Sequence, residues 1–389
     1  MEGVSVIYGD SSVLTDADGY YFYSNIPDGL QGVRFRMNGY YPVMSQVNIS
    51  AGGETVYDVV MDIITAGWAV GAGDSDYGTI LYSPDGGLSW VRQGTPDMIP
   101  DVRLKDVFAV DDQVCWVAGE ADTLRGTTVL LFTEDGGATW SNQGSSLRTS
   151  RPVSIAAIVA HDKDTAWAVT SDTCMVIKTV NGGGSWSVCR ESPSVVSYSA
   201  LAVADGRNVW CCGQAADGNA VVEYSPDGGT TWSEMPVGTA SSSQRPTDIY
   251  AAPGPVLYLS GTESMGVLRS VDGGRTWEQA LSSDVDVNAL DACFDNYVWA
   301  AGSDGVMYVS ADGLATSDEI HPADGGYSSG TLSSVAFLRD ALRGACSVLS
   351  YTGETGTIYY TVDGGLSWNQ SSVPYEFGVE SVDFVGGSN

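Results

Sequence analysis

The sequence predicts an all-β protein, a seven-bladed β-propeller closed by its C-terminal strand with a small N-terminal β-sandwich, on three observations. An octapeptide, Ser83-Pro84-Asp85-Gly86-Gly87-Leu88-Ser89-Trp90, recurs with copies beginning at Thr133, Thr179, Ser225, Ser270, Ser310 and Thr361. The copies start about 40 to 50 residues apart, the length of a blade of four short strands. Val379-Glu380-Ser381-Val382-Asp383-Phe384-Val385 reads like the first strand of other blades, such as Leu104-Lys105-Asp106-Val107-Phe108-Ala109-Val110. The tail therefore supplies the strand that the first blade lacks, which removes the open edge of the ring.

Residues 1–64 read as the sandwich. Val4-Ser5-Val6-Ile7-Tyr8 is a strand, Thr15 to Phe22 a turn feeding a second, Asn25-Ile26-Pro27-Asp28-Gly29 another turn, and Thr55 to Val60 the closing strand. Asp16 and Asp18 are residue types that bind calcium, although a lone Asp-x-Asp-Gly is more often turn chemistry. The order Thr-Asp-x-x-Gly-x-aromatic, then Ile-Pro-x-Gly, then Gly39-Tyr40 resembles the carboxypeptidase regulatory-like domain of secreted and surface proteins. That resemblance implies one more strand ahead of Glu2-Gly3-Val4. Either the chain is a fragment with an added Met1, or another subunit donates the strand and the protein self-associates through the open edge.

Residues 65–389 carry the blades. The first opens with Gly67-Trp68-Ala69-Val70-Gly71 and runs through Gly78-Thr79-Ile80-Leu81-Tyr82 into its octapeptide. Later second strands carry Trp116, Trp167, Trp210 and Trp299, with Leu257-Tyr258 and Ala345-Cys346 in blades five and seven. Inside each octapeptide, Asp-Gly and Gly-Gly supply the positive φ angles of a tight reversal. The acid or amide, which is Asp85, Asp135, Asn181, Asp227, Asp272, Asp312 or Asp363, bonds the turn amides together with the leading hydroxyl. The copy at Ser310 is worn and ends Leu314-Ala315-Thr316-Ser317. This repeat resembles the Asp-box, or bacterial neuraminidase repeat, which implies a hairpin between the third and fourth strands of a propeller blade. Asp-boxes occur in sialidases, xyloglucanases, sortilin-type receptors and non-catalytic assembly factors, so the resemblance implies a fold and leaves activity open.

Composition narrows the function. Against 48 acidic residues stand 17 basic ones, a formal charge of −31, which argues against nucleic-acid or anionic-membrane partners. No run approaches the roughly 18 apolar residues of a membrane span. Lysine occurs only at Lys105, Lys163 and Lys178, a pattern that a halophile's acidic surface would also give. No secretion signal is visible at the start. Seven cysteines fit no disulfide or zinc framework. Cys174 and Cys189 flank one hairpin as either a disulfide or two thiols, and Cys211 and Cys212 point to opposite faces of a strand. Of 11 tryptophans, six end octapeptides and five sit on second strands, leaving none for a sugar-stacking platform.

Catalytic constellations are sparse. His161 and His321 are the two histidines, each expected in a loop, and no serine has an evident base, so no catalytic residue, cofactor or metal is assigned. Glycosidase chemistry needs two carboxylates, but the Arg-Ile-Pro motif that the sialidase resemblance implies is absent. Arg151-Pro152 and Arg245-Pro246 are its nearest echoes.

A ligand is expected on the face where second-to-third-strand loops meet the blade-to-blade connectors. The loops hold Asp74, Asp76, Glu120, Asp122, Asp172, Asp217, Glu263, Asp304 and Glu354; the connectors hold Arg103, Arg148, Arg151, Arg190 and Arg245. Together they suit a charged protein or a carboxylated glycan, or they are turn caps with neutralising arginines. Trp-Ala-Val-Gly followed by a hairpin and Asp-Gly-Gly-x-Ser/Thr-Trp most resembles the non-enzymatic photosystem II assembly-factor type, which implies a docking disc. The expected function is a non-catalytic, extracellular or cell-surface binding and assembly module. A glycoside hydrolase with carboxylates on the same face and a structural subunit of a surface layer or filament are the alternatives.

Overall fold

Seven turns with one chemistry set the architecture. In the computed structural model, Ser83 Oγ donates to Asp85 Oδ1 (2.9 Å) and accepts the Gly87 amide (2.9 Å). Asp85 in turn takes the Ser89 amide on Oδ1 (3.0 Å) and the Ser89 hydroxyl on Oδ2 (2.6 Å). The same bonds recur in the worn copy, from Ser310, Leu314 and Thr316 around Asp312. Leu314 there holds a φ of 68° that the other copies give to glycine, and its burial at 4% exposed offsets that strain.

The structure describes all residues except 1, 2, 10, 17, 38, 51, 53, 74–76, 239–243, 263, 294–295, 324–329, 351–354, 375–376 and 387–389. It divides into two units, Met1–Ile64 and Thr65–Asn389.

Among the described residues, the second unit contains seven four-stranded antiparallel sheets. The innermost strands of blades two to seven are Leu104–Ala109, Ile155–Ala160, Val195–Ala204, Pro246–Ala251, Val287–Cys293 and Gly330–Phe337. Each touches the next, and Val379–Phe384 touches both Gly330–Phe337 and Leu104–Ala109, completing the cycle. Val379–Phe384 pairs with Gly67–Gly71 (Val382 opposite Ala69), so the tail is the inner strand of blade one.

The second strands are buried on both sides, which is why they read Gly-Trp-Ala-Val-Gly rather than alternating. Their tryptophans reach across the seams. Trp167, Trp210 and Trp299 donate Nε1–H to Gly228, Gly273 and Gly364 in the neighbouring blade's octapeptide. Trp68 does so through Gln93, whose Nε2 donates to Gly136 O (2.7 Å).

The first unit departs from the expected sandwich. Among the described residues it has one four-stranded sheet, Ser11–Leu14, Ser5–Tyr8, Gly29–Arg36 and Val43–Ile49 in spatial order. The strand expected to follow from the Thr15–Phe22 turn and the closing strand Thr55–Val60 are extended at residues 20–23 and 55–60, where burial alternates as in strands, but among the described residues they join no ladder. Tyr21 and Tyr23 point inward, and Tyr21 stands edge-on to Phe35 at 5.7 Å. The two segments meet through the Tyr21 hydroxyl on Tyr57 O (3.1 Å) rather than through backbone pairing. Asp16 Oδ1 accepts the Asp18 and Tyr20 amides, the turn chemistry of the two sequence readings. Cys174 and Cys189 are free thiols. Cys174 O accepts the Ser192 amide, whereas Cys189 falls in a bulge near Val176, so the two are out of register for a bridge.

Candidate functional site

The two loop families are joined by one repeated backbone bond. The amide just after the second strand donates to a carbonyl of the connector before the inner strand. It is Glu120 to Arg103, Ser171 to Ser154, Ala216 to Ser194, Thr262 to Arg245 and Ser303 to Asp286, and Ala72 to Gly378 in blade one. These loops therefore share a face. The octapeptides lie on the other, where the first glycine amide donates to the same blade's inner hairpin, as Gly136 does to Gln113 and Gly228 to Arg207.

On the loop face the arginines do not form one cluster. Arg103 pairs with Glu380 (3.1 Å), which also meets Lys105 (3.7 Å). Arg151 pairs with Asp172 (2.7 Å). Arg190, in the outer strand Ser187–Glu191, is committed to Glu223 of the next blade through Nε and Nη2. Glu223 is fully buried and also accepts from Ser192 and Tyr198. These bonds, with the Glu223 charge, hold the Arg190 pKa above its ordinary value. Arg148 and Arg245 are exposed, and neither side chain has a partner among the described residues.

The acids mostly shape turns. Asp122, 5% exposed, accepts the Leu124 and Arg125 amides. Asp217 takes the Asn219 amide and side chain, which lowers its pKa. Asp304 holds a left-handed turn at φ 57°. Asp74, Asp76, Glu263 and Glu354 lie outside the described residues.

One seam stands out. The Ala121 amide bonds Ser154 Oγ (3.1 Å) and the Val153 amide bonds Thr128 Oγ1 (3.1 Å), pinning residues 120–128 against 144–154. The tip residue Leu124 is 94% exposed, and the Arg125 and Arg151 side chains are more than half exposed. Arg148, also exposed, lies on the same connector as Arg151. Sequence reasoning missed Leu124 and Arg125, although their loop is visibly longer than those of blades three to six.

Behind the face runs a central cavity of about 200 Å³, lined by all seven inner strands. Each inner strand bulges at the residue facing it: Lys105, Ala156, Ser199, Thr247, Asn288, Ser333 and Glu380. Beside this ring, carboxylates clasp neighbouring blades. Asp383 takes the amides of Phe384 and Ala109, Asp106 those of Val107 and Ile158, Asp248 those of Ile249 and Leu290, and Asp291 those of Ala292 and Phe337. Sequence reasoning missed these as well. Their signal is an acid at one of two places in otherwise apolar strands, directly after the bulge in Lys105-Asp106-Val107-Phe108 and Thr247-Asp248-Ile249-Tyr250, or three residues after it at Asp291 and Asp383.

Burial outweighs those hydrogen bonds and raises Asp106 and Asp248 to about 6 and Asp291 to about 7. In the turns the sign reverses: bonds from Thr276 lower Asp272 to about 2, and bonds from Thr139, Thr231 and Thr316 lower Asp135, Asp227 and Asp312. A raised carboxyl contributes stability that is fully present below its unfolded pKa and lost as pH climbs through the folded value. A lowered one contributes above its unfolded pKa and loses it as pH falls through the folded value. The thermal midpoint is therefore expected to be higher at about pH 5 than at about pH 8, and to fall below about pH 4, in a melting series across buffers. A midpoint that keeps rising toward pH 8 would contradict the burial of these acids.

Geometry thus defines a closed propeller of Asp-box blades, with the loops and connectors on one face and the octapeptides on the other. Comparison with known proteins points to a narrower group. The family model described as Photosynthesis system II assembly factor YCF48 matches residues 43–196, and one described as DUF6242 beta propeller domain matches residues 197–325. The Photosystem II assembly lipoprotein Ycf48 of Synechococcus sp. (strain CC9902) is 29% identical over 243 residues, 60% of this chain and 67% of that protein. Among solved structures, "YCF48 bound to D1 peptide" aligns at a TM-score of 0.59 and 20% identity over 77% of this chain and 89% of that one. YCF48 from Cyanidioschyzon merolae aligns at 0.51 and 18% over 77% and 94%. The propeller resembles these assembly factors.

Proposed function

We propose that this chain is a non-catalytic binding and assembly module that docks a protein partner on the loop face, at the seam between blades two and three. The observation that carries the reading is the placement of exposed Leu124, Arg125, Arg148 and Arg151 on two loops pinned together, Arg125 and Arg151 each keeping one carboxylate neighbour (Asp122 at 3.7 Å and Asp172 at 2.7 Å), in a chain whose formal charge is −31. Cationic side chains around an apolar tip suit an acidic segment with an apolar anchor. The relative whose structure is titled as bound to D1 peptide supports a peptide or protein partner. The similar lipoprotein supports an extracytoplasmic or surface position. Arg245 is a secondary contact on the same face, and Arg190 is left out because Glu223 occupies it.

The test is binding of the parent chain and an Arg148→Ala/Arg151→Ala variant to arrays of acidic peptides and carboxylated glycans. Loss of about tenfold in affinity for peptides, with an unchanged melting curve, is expected from removing two charge-assisted contacts. Equal binding by both proteins counts against the seam. Capture of glycans alone transfers the reading to a carbohydrate partner.

A further inference from the structure

Six octapeptides carry aspartate at their third position, and the copy at Thr179 carries Asn181 followed by Gly182. Asn181 Oδ1 accepts the Thr179 hydroxyl (3.0 Å) and the Ser185 amide (2.9 Å), as an aspartate does. Its Nδ2 reverses the last bond, donating to Ser185 Oγ at 3.1 Å where the aspartates accept a hydroxyl. We propose that Asn181-Gly182 is a latent deamidation site, shielded by the native turn and opened by unfolding, whose aspartate product the turn already accommodates.

The chemistry needs only water. The Gly182 nitrogen attacks Asn181 Cγ, its proton passes to the side-chain nitrogen, and that nitrogen departs as ammonia, leaving a succinimide. Water then opens the ring at one carbonyl to give aspartate, or at the other to give isoaspartate. Glycine on the C-terminal side leaves the attacking nitrogen unobstructed, so an unfolded Asn-Gly pair reacts readily.

The native turn opposes the step in three ways. The Gly182 N–H is donated to Asp164 O (3.0 Å), so the nucleophile is engaged. The Asp164 carboxylate stands beside Gly182, since Oδ1 lies 3.6 Å from where a Gly182 Cβ would be, and its negative charge, offset in part by Lys163 Nζ at 3.7 Å, disfavours deprotonating the amide. Both Asn181 side-chain polar atoms are bonded, so the side chain must give up those bonds to rotate into reaction. Aspartate at this place would restore the bonding found around Asp85 and Asp272. Isoaspartate adds a backbone bond inside the turn and cannot keep the Thr179 and Ser185 contacts together.

Incubating the full chain at mildly alkaline pH, in buffer and in concentrated urea, and mapping peptides by mass spectrometry tests this. Asn181 should convert in urea, as should the other Asn-Gly pair of the sequence, Asn38-Gly39. In buffer Asn181 should convert at least about tenfold more slowly, because reaction waits for local opening. Equal rates at Asn181 in buffer and urea overturn the shielding. Separately, Asn181→Asp should fold and melt at or above the parent temperature; a lower midpoint overturns the claim that the turn accommodates the product.

Discussion

Replacing Arg190 by alanine is expected to cost about 3 to 5 kcal/mol in urea unfolding, the penalty for stranding a buried charge. The guanidinium is the only cation on Glu223 among the described residues, and Glu223 has no solvent exposure. Ser192 and Tyr198 remain as donors in the variant, but neither carries charge. The pair also joins the outer strand of blade three to the third strand of blade four, so the loss falls on a seam. Adding Glu223→Gln to Arg190→Ala should recover most of the stability, because the charge is then gone. A loss below about 1 kcal/mol for Arg190→Ala, as for a surface pair, would mean that water reaches the carboxylate.

Phe384→Ala is expected to be as damaging, about 3 to 5 kcal/mol, through a cavity at the closing strand. Phe384 is fully buried beside Trp90, with ring centres 6.2 Å apart. The surroundings are cut to its shape, since a Cβ on Gly67 would lie 2.3 Å from the ring. Phe384 itself stands opposite Gly67 in the ladder that closes the ring. The urea midpoint should drop while a loop-face substitution such as Arg148→Ala leaves it in place. A Phe384→Ala protein with the parent's midpoint would show that the closing strand contributes little to the ring.

These two sites show where sequence reading reaches and where it stops. The octapeptide is legible because its chemistry is local: hydroxyl, acid, two glycines and a tryptophan make their bonds within eight positions. Closure is legible because Val379–Phe384 repeats the pattern of the other inner strands. Arg190 reads as a free connector arginine because its partner lies 33 positions on, in another blade. The one hint was an acid between Val222 and Tyr224. Residues 20–23 and 55–60 read as paired strands because alternation is shared by any extended segment with one face buried. Pairing depends on which backbone lies alongside, and that is decided by Tyr21 and Tyr57 packing around Phe35.

The pairing of Val379–Phe384 with Gly67–Gly71 also has a bearing on biosynthesis. On a translating ribosome the opening hairpins emerge long before the peptide that finishes them, about 310 residues further on, so the nascent intermediate keeps two unmated flanks until that peptide appears. Such an intermediate is prone to capture by its neighbours on a polysome, and slowing elongation or supplying a holdase should raise the yield of correctly assembled protein.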